Sequence, residues 1–420
     1  MKRYVLTEQD KIQNAAFRKR IIERNKLPLM PIPDNQNFPI GIDPWGNLFP
    51  VDDEDRRKDP RKRKPLVDHA TGALLGLAIG DALGTTTEFQ RPAGLPRYPT
   101  LVTGPQREPV GGGPFQVAAG QVTDDTQMAC CLAEVLRAKK TKLTVVALAT
   151  AYAAWLPYAF DVGNQTRHAL QGIIAGEAPF AASKRVWVES GKQAAGNGSL
   201  MRTAPIALFF ARDQVARCRW SAADSMVTHW DPRCVLACVA FNGAIASAVR
   251  GDTSVTDMID AARDDLGYWA NYLVQEDMKD ESDAVRAAEA ALVEDLDAAE
   301  KDDPGLDQPG LDHHETLGFV RVAFRLAFWH LRHSDSAEAS LVDLANRGGD
   351  SDTNAAITGA LLGARLGHDA FPLRWKKTVL GAVPRQGGRS VFATRYHPVV
   401  LVGGTNALLG HDLPKKWFFF

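Results

Sequence analysis

The sequence predicts an all-α body, and three observations carry that reading. Apolar residues recur at helical spacing from Val67 to about residue 367, few runs alternate strictly between apolar and polar residues, and two segments carry a glycine at every fourth position. The 420 residues are 45% hydrophobic and 24% charged, ample for a large core in one domain or two. Lysine plus arginine number 49 against 50 aspartates and glutamates, a balance that removes bulk electrostatics as a route to nucleic acid. The first residues lack the apolar run of a signal peptide, and no stretch is expected to reach the roughly 18 to 20 apolar residues of a membrane span. Five cysteines are an odd number for a fully paired framework, so a reduced, cytoplasmic chain is expected.

Residues 1–66 differ from the remainder. They hold 15 basic against 10 acidic residues, whereas residues 67–420 hold 34 against 40. Thr7 and Asp10 suit a helix start, and Ile12, Ala16, Phe17 and Ile21 form an apolar stripe on a basic helix ending near Lys26. Beyond it Pro28, Pro31, Pro33, Pro39, Pro44 and Pro50 remove backbone donors and favour an extended or polyproline II chain. Asp52 to Lys64, acidic and then basic, reads as a solvated hinge. The intervening apolar residues, Trp45 among them, cannot stay in water uncovered, so this arm is expected to dock on its own body or on another protein.

In the body, periodic segments span about 70–84, 124–138, 143–156, 164–175, 203–211 and 220–229, then 233–249, 255–272, 281–299, 315–332, 337–346 and 353–367. The first carries Gly72, Gly76, Gly80 and Gly84. Each glycine costs a helix about 1 kcal/mol relative to alanine, so a stripe of four calls for close backbone approach. Gly359, Gly363 and Gly367 repeat the spacing, which places the two helices near one another. Residues 276–312 are acidic, end in Asp-Asp-Pro-Gly-Leu-Asp-Gln-Pro-Gly and read as a surface excursion. The last fifty residues suggest only turns and a short terminal helix or tail. His313-His314-Glu315 fits no standard zinc spacing and reads as surface polar residues.

Two segments carry matching chemistry. Thr123-Asp-Asp-Thr126 opens a helix with Met128, Leu132, Val135 and Leu136 on its apolar face, and Gly348-Gly-Asp-Ser-Asp-Thr353 opens another with Ile357, Leu361 and Ala364. Taken singly, each suits helix capping. Two such loops with four carboxylates exceed what capping requires, and if they face each other their repulsion calls for a cation. The donors are hard oxygens without cysteine or histidine, a set for Mg²⁺ or Mn²⁺ and a poor one for zinc. A dinuclear site would draw on Thr123, Asp124 and Asp125 from one side and Asp350, Asp352 and Thr353 from the other. Gly196-Asn-Gly-Ser-Leu-Met-Arg202 is a weaker signal, a turn whose backbone amides suit a phosphate.

The ensemble resembles the ADP-ribosylglycohydrolase family over about residues 68–368. The motifs, in family order, are Gly72 to Gly84 followed by Glu88, Thr123-Asp-Asp-Thr126, Asp161-Val-Gly-Asn164, Gly196 to Arg202, Thr228-His229 and Gly348 to Thr353. The resemblance implies an all-α orthogonal helical bundle with two Mg²⁺ ions in a central cleft, hydrolysing the bond between ADP-ribose and a protein side chain. It implies that Thr123, Asp124, Asp125, Asp350, Asp352 and Thr353 are metal ligands and that Glu88 lies near the reacting ribose. It further implies that Asp161 and Asn164 face the scissile end, that Gly196, Asn197, Gly198, Ser199 and Met201 surround the diphosphate and proximal ribose, and that His229 contacts substrate. Glu88 or Asp161 would handle the proton, with Asp125 beside the reacting centre.

On this reading residues 67–420 form the hydrolase domain and residues 1–66 an added arm. Such an arm ahead of such a body is similar to immunity proteins that protect bacteria from ADP-ribosyltransferase toxins, where the extension plugs the toxin and the body reverses its product. The expectation is a magnesium-dependent hydrolase of ADP-ribosylated protein, modified at arginine, with a toxin as second partner. Two alternatives stand beside it: an immunity protein acting by occlusion alone, and a non-catalytic structural relative, which the intact carboxylate set disfavours.

Overall fold

The computed structural model describes residues 60–138, 143–383 and 395–409. The expected arm helix, the proline-rich stretch and Trp45 lie outside the described residues. The first helix, α1, spans Pro60–Gly84, so its backbone is already helical inside the stretch read as a hinge. After it come α2 (Asp124–Arg137), α3 (Val145–Trp155), α4 (Asn164–Ala175), α5 (Pro179–Glu189), α6 (Ala204–Phe209), α7 (Gln214–Thr228) and α8 (Pro232–Arg250). The second half holds α9 (Val255–Gln275), α10 (Ser282–Ala299), α11 (Val320–His333), α12 (Ala337–Arg347), α13 (Ser351–Leu366), α14 (Leu373–Leu380), α15 (Pro398–Gly403) and α16 (Thr405–Leu408). Among the described residues there is no strand, only isolated bridges, so the all-α expectation holds.

The architecture turns on α1 and α13. A Cβ added to Gly72 would lie 2.2 Å from the Gly363 carbonyl oxygen, and one at Gly76 would lie 2.0 Å from that of Gly359. At Gly80 the clash is with Ala355 at 2.0 Å, and at Gly84 with Ser351 at 2.2 Å. The partners run backwards in steps of four, so the helices pack antiparallel, backbone to backbone, and only glycine fits along the seam. This explains the stripe that helix propensity alone disfavours. It also carries the C-terminal end of α1 to the N-terminal end of α13, where Ser351 Oγ donates to the Gly84 carbonyl at 2.8 Å.

Around this pair, α8 forms a second buried axis, with α7 and α9 against it, while α11 covers α13 and α10 covers α11. Leu66–Gly84 and Pro232–Arg250 are each long and apolar enough to cross a bilayer, contrary to the expectation that no stretch would be. They are 78% and 94% buried within the fold, so protein already covers their apolar surface.

Several expectations are corrected. Residues 276–312 are not simply a surface excursion: α10 buries Leu292 and Leu296, and its Asp295 is wholly buried against Arg325 (2.5 Å) and Arg321 (2.8 Å). The acidic composition hid a core residue, because the countercharges stand on α11, far along the chain. His313 is buried rather than a surface residue, with Nε2 3.1 Å from the Gly348 carbonyl oxygen. Helix α11 starts at Val320, after a turn at Gly318. Helix α14 was missed because it has eight residues, too few for a period to show, yet Trp375 on it is fully buried and donates to the Arg107 carbonyl.

Candidate active site

The meeting of α1 and α13 sets Asp81, near the end of α1, beside the Thr123 loop. Asp81 is wholly buried and accepts from Thr123 N–H (2.9 Å), Thr123 Oγ1 (3.0 Å), Thr126 N–H (3.1 Å) and Thr126 Oγ1 (2.6 Å). These bonds fix the entry to α2 and aim Asp124 and Asp125 inward. Sequence reasoning had not placed Asp81 in the site; a single acid on an otherwise apolar, glycine-striped helix was the available signal.

Thr123 and Asp350 stand at the N-cap positions of α2 and α13, yet neither side chain caps its helix. Capping is therefore not what these residues do. Asp350 Oδ2 accepts from Asn197 Nδ2 at 2.6 Å, and Thr353 also donates to this carboxylate. Asp352 Oδ1 accepts from the Thr353 N–H at 2.8 Å.

Glu88 follows α1 after a short turn. Beside it, Phe89 N–H donates to the Gly349 carbonyl at 2.7 Å and Gly349 N–H donates back to Gln90 at 2.9 Å. This pairing holds Phe89 in a left-handed backbone (φ 63°), leaves its ring exposed and turns Glu88 inward to near-complete burial. Carboxylate oxygens of Glu88, Asp161 and Asp352 lie within 4.8 Å of one another. Asp161 sits ahead of α4, whose first residue, Asn164, is exposed, and the Gly163 amide donates to Asp124.

The electrostatics show how closely these groups crowd. Burial, then repulsion from Asp352, pushes Glu88 up to about 12, and burial with Asp124 pushes Asp161 up to about 10. Burial and Asp81 raise Asp124 to about 7 and hold Asp125 well above the usual carboxylate range. Burial together with Asp350 does the same to Asp352, and burial raises Asp350. Desolvation disfavours each charge, and like neighbours add to it. Asp125 Oδ1 and Glu88 Oε2 are buried without a hydrogen-bond partner. Buried, mutually repelling oxygens with unspent acceptor capacity fit divalent cations, and the hard donor set fits Mg²⁺ or Mn²⁺.

The turn at Gly196 contributes less than its sequence suggested. Gly196 N–H is taken by Gln165 Oε1 (2.9 Å) and Asn197 N–H by the Gly318 carbonyl (2.8 Å), and Ser199 is wholly buried, which leaves the partly exposed Gly198 as the residue whose amide could meet an anion. The Ser199 hydroxyl turns to the core, accepting from Ser225 at 2.9 Å, and Met201 is buried. His229 lies beneath the turn: a Cβ at Gly198 would approach its ring to 3.0 Å, and Thr228 Oγ1 holds its Nδ1 at 2.8 Å. Burial, with Arg202 nearby, keeps this histidine neutral by lowering its pKa well below the ordinary value. Arg202 props the turn from below, bonded to the Gly198 carbonyl and to the fully buried Asp224.

Comparison with known proteins finds similar chains. A family model described as ADP-ribosylglycohydrolase matches residues 62–397. The ADP-ribosylarginine hydrolase Tri1 of Pseudomonas putida is 31% identical over 330 residues, 74% of each chain. The ADP-ribosyl-[dinitrogen reductase] glycohydrolase of Rhodospirillum rubrum is 28% identical over 330 residues, 78% of this chain and 95% of its own. A solved structure described as an ADP-ribosylglycohydrolase-related protein complex superposes with a TM-score of 0.57 at 26% identity, covering 83% of this chain and 100% of its own.

Proposed function

Because this chain belongs to the ADP-ribosylglycohydrolase family, we propose that it removes ADP-ribose from arginine side chains of modified proteins with the help of two Mg²⁺ or Mn²⁺ ions. The observation that carries this is the convergence of six acids, Glu88, Asp124, Asp125, Asp161, Asp350 and Asp352, from four separate stretches of chain on one buried cluster. Thr123, Asp124, Asp125, Asp350, Asp352 and Thr353 would hold the ions, which supply positive charge to ribose hydroxyl oxygens when bound. Asn197 orients the Asp350 carboxylate and Asp81 fixes Thr123 through the bonds described above.

Hydrolysis requires a water oxygen to bond to C1″ while the C1″–N bond breaks and its electron pair passes to the guanidine nitrogen. One proton must leave the water and one must reach that nitrogen. Of these six acids Glu88 and Asp161 stand outside the two helix-entry loops, and burial favours their protonated forms, so one or both of them carry the proton. Incubation with arginine-ADP-ribosylated protein tests the reading. Free ADP-ribose should accumulate with Mg²⁺ and not with EDTA, and Asp125→Ala should abolish release while preserving the helical circular dichroism spectrum; full activity of that variant would refute the assignment.

For residues 1–66 we propose docking on an ADP-ribosyltransferase toxin, which would make the chain a cytoplasmic immunity protein with both a blocking and a repairing mode. The support is the arm's basic, proline-rich and apolar composition, distinct from that of the body. Toxin binding that survives deletion of residues 1–66 would count against the blocking mode.

A further inference from the structure

Beside the acids lies an aromatic pair that the proposed chemistry does not yet use. Residues 111–117 form a tight hairpin in which Gly112 N–H donates to Val117 at 2.8 Å and Val117 N–H donates back at 3.0 Å. Gly111, Gly112 and Gly113 all take positive φ, and a Cβ at Gly113 would lie 2.1 Å from the Thr85 carbonyl oxygen. The hairpin is thus clamped to the turn that leads into Glu88. At its tip Phe115 meets Phe160 edge to face, ring centroids 5.8 Å apart, and both residues are partly buried. Phe160 immediately precedes Asp161, whose carboxylate lies within 4.8 Å of those of Glu88 and Asp352.

We infer that Phe115 and Phe160 form the seat for the acceptor arginine, gripping its guanidinium and stem as it enters toward Asp161 and Glu88. The proton that the departing guanidine takes up is assigned to Asp161 or Glu88, so the part of the substrate that passes these rings is the leaving group. A guanidinium carries positive charge in a flat, weakly hydrated plane that packs on aromatic faces and pairs with carboxylates. Both rings are only partly buried, so an acceptor that remains joined to a folded protein can reach them. They would set specificity for a cationic planar leaving group without touching the metal ligands.

This inference rests on the proposed hydrolysis, and the test separates the two. Release of ADP-ribose from arginine-ADP-ribosylated protein is measured for the full-length wild type and for Phe115→Ala, Phe160→Ala and Phe115→Tyr, alongside calorimetric binding of free ADP-ribose, which lacks the acceptor. The expected result is a fall of about tenfold or more in kcat/KM for each alanine variant, carried largely by KM, with the Kd for ADP-ribose within about twofold of wild type. Phe115→Tyr, which keeps the ring, should restore most of the loss. Unchanged kcat/KM in the alanine variants, or ADP-ribose affinity falling in parallel with it, would overturn the seat. A wild type that releases no ADP-ribose would instead overturn the hydrolytic function.

Discussion

Replacing Asp352 by asparagine should stabilise the metal-free protein while destroying its response to magnesium. Carboxylate oxygens of Asp352, Glu88 and Asp161 lie within 4.8 Å of each other. At an effective dielectric near 20, two unit charges at that distance repel by about 3.5 kcal/mol. Burial first, and then repulsion from neighbouring acids, pushes Glu88 and Asp161 high, so the cluster evades most of this by holding protons. Asp352 is itself raised well above the usual carboxylate range, so replacing it relieves only part of one such pair, about 1 kcal/mol. The asparagine oxygen can still accept from Thr353 N–H, so no buried donor is orphaned. For a body of about 350 residues 1 kcal/mol moves Tm by only about 1 to 2 °C, so in EDTA the variant should melt slightly above wild type. Wild type in Mg²⁺ at about one hundred times its Kd should gain about 2.7 kcal/mol, and the variant should gain little. Thermal melts in EDTA and in Mg²⁺ read both effects. A variant that melts lower than wild type in EDTA and keeps the full magnesium shift would refute the reasoning.

The charge pattern also predicts how the magnesium shift depends on pH. Asp81 and Asp124 are raised from 3.8 to about 6 and about 7, so the folded state binds protons more tightly than the unfolded chain. Stability in EDTA should fall as pH rises from about 4 to 7, and the gap between Mg²⁺ and EDTA melting points should widen over that window; a gap independent of pH would contradict it. Gly80→Ala would put a methyl group 2.0 Å from the Ala355 carbonyl oxygen, so α1 and α13 must separate. Despite a gain of about 1 kcal/mol in helix propensity, this should cost a net few kcal/mol, seen as a lower denaturation midpoint or loss of soluble protein. Asp81→Asn removes one of the two acceptor oxygens that tie Thr123 and Thr126. Titration calorimetry should show magnesium affinity at least tenfold weaker, with helicity retained.

The all-α fold, the approach of α1 to α13 and the acid pairs at Asp124 and Asp350 were legible because each leaves a local trace. Helical periodicity, glycine spacing and hydroxyl-carboxylate runs at helix starts are short-range patterns. What the sequence hid depends on partners far along the chain. Asp295 reads as one more acid of a solvated stretch until Arg321 and Arg325 close on it, and His313 reads as surface until Gly348 and Gly349 pack over it. Ser199 belongs to a turn suited to phosphate, but its hydroxyl is spent on Ser225, a partner set by the packing of α7. Phe115 and Phe160 lie in loops without periodicity, and only the fold of the glycine hairpin brings them together.

Anomalous diffraction from crystals of the full chain grown with Mn²⁺ tests the central claim most directly. The account predicts two peaks enclosed by oxygens of Thr123, Asp124 and Asp125 on one side and Asp350, Asp352 and Thr353 on the other. Manganese bound elsewhere, with none between these two helix entries, would contradict it.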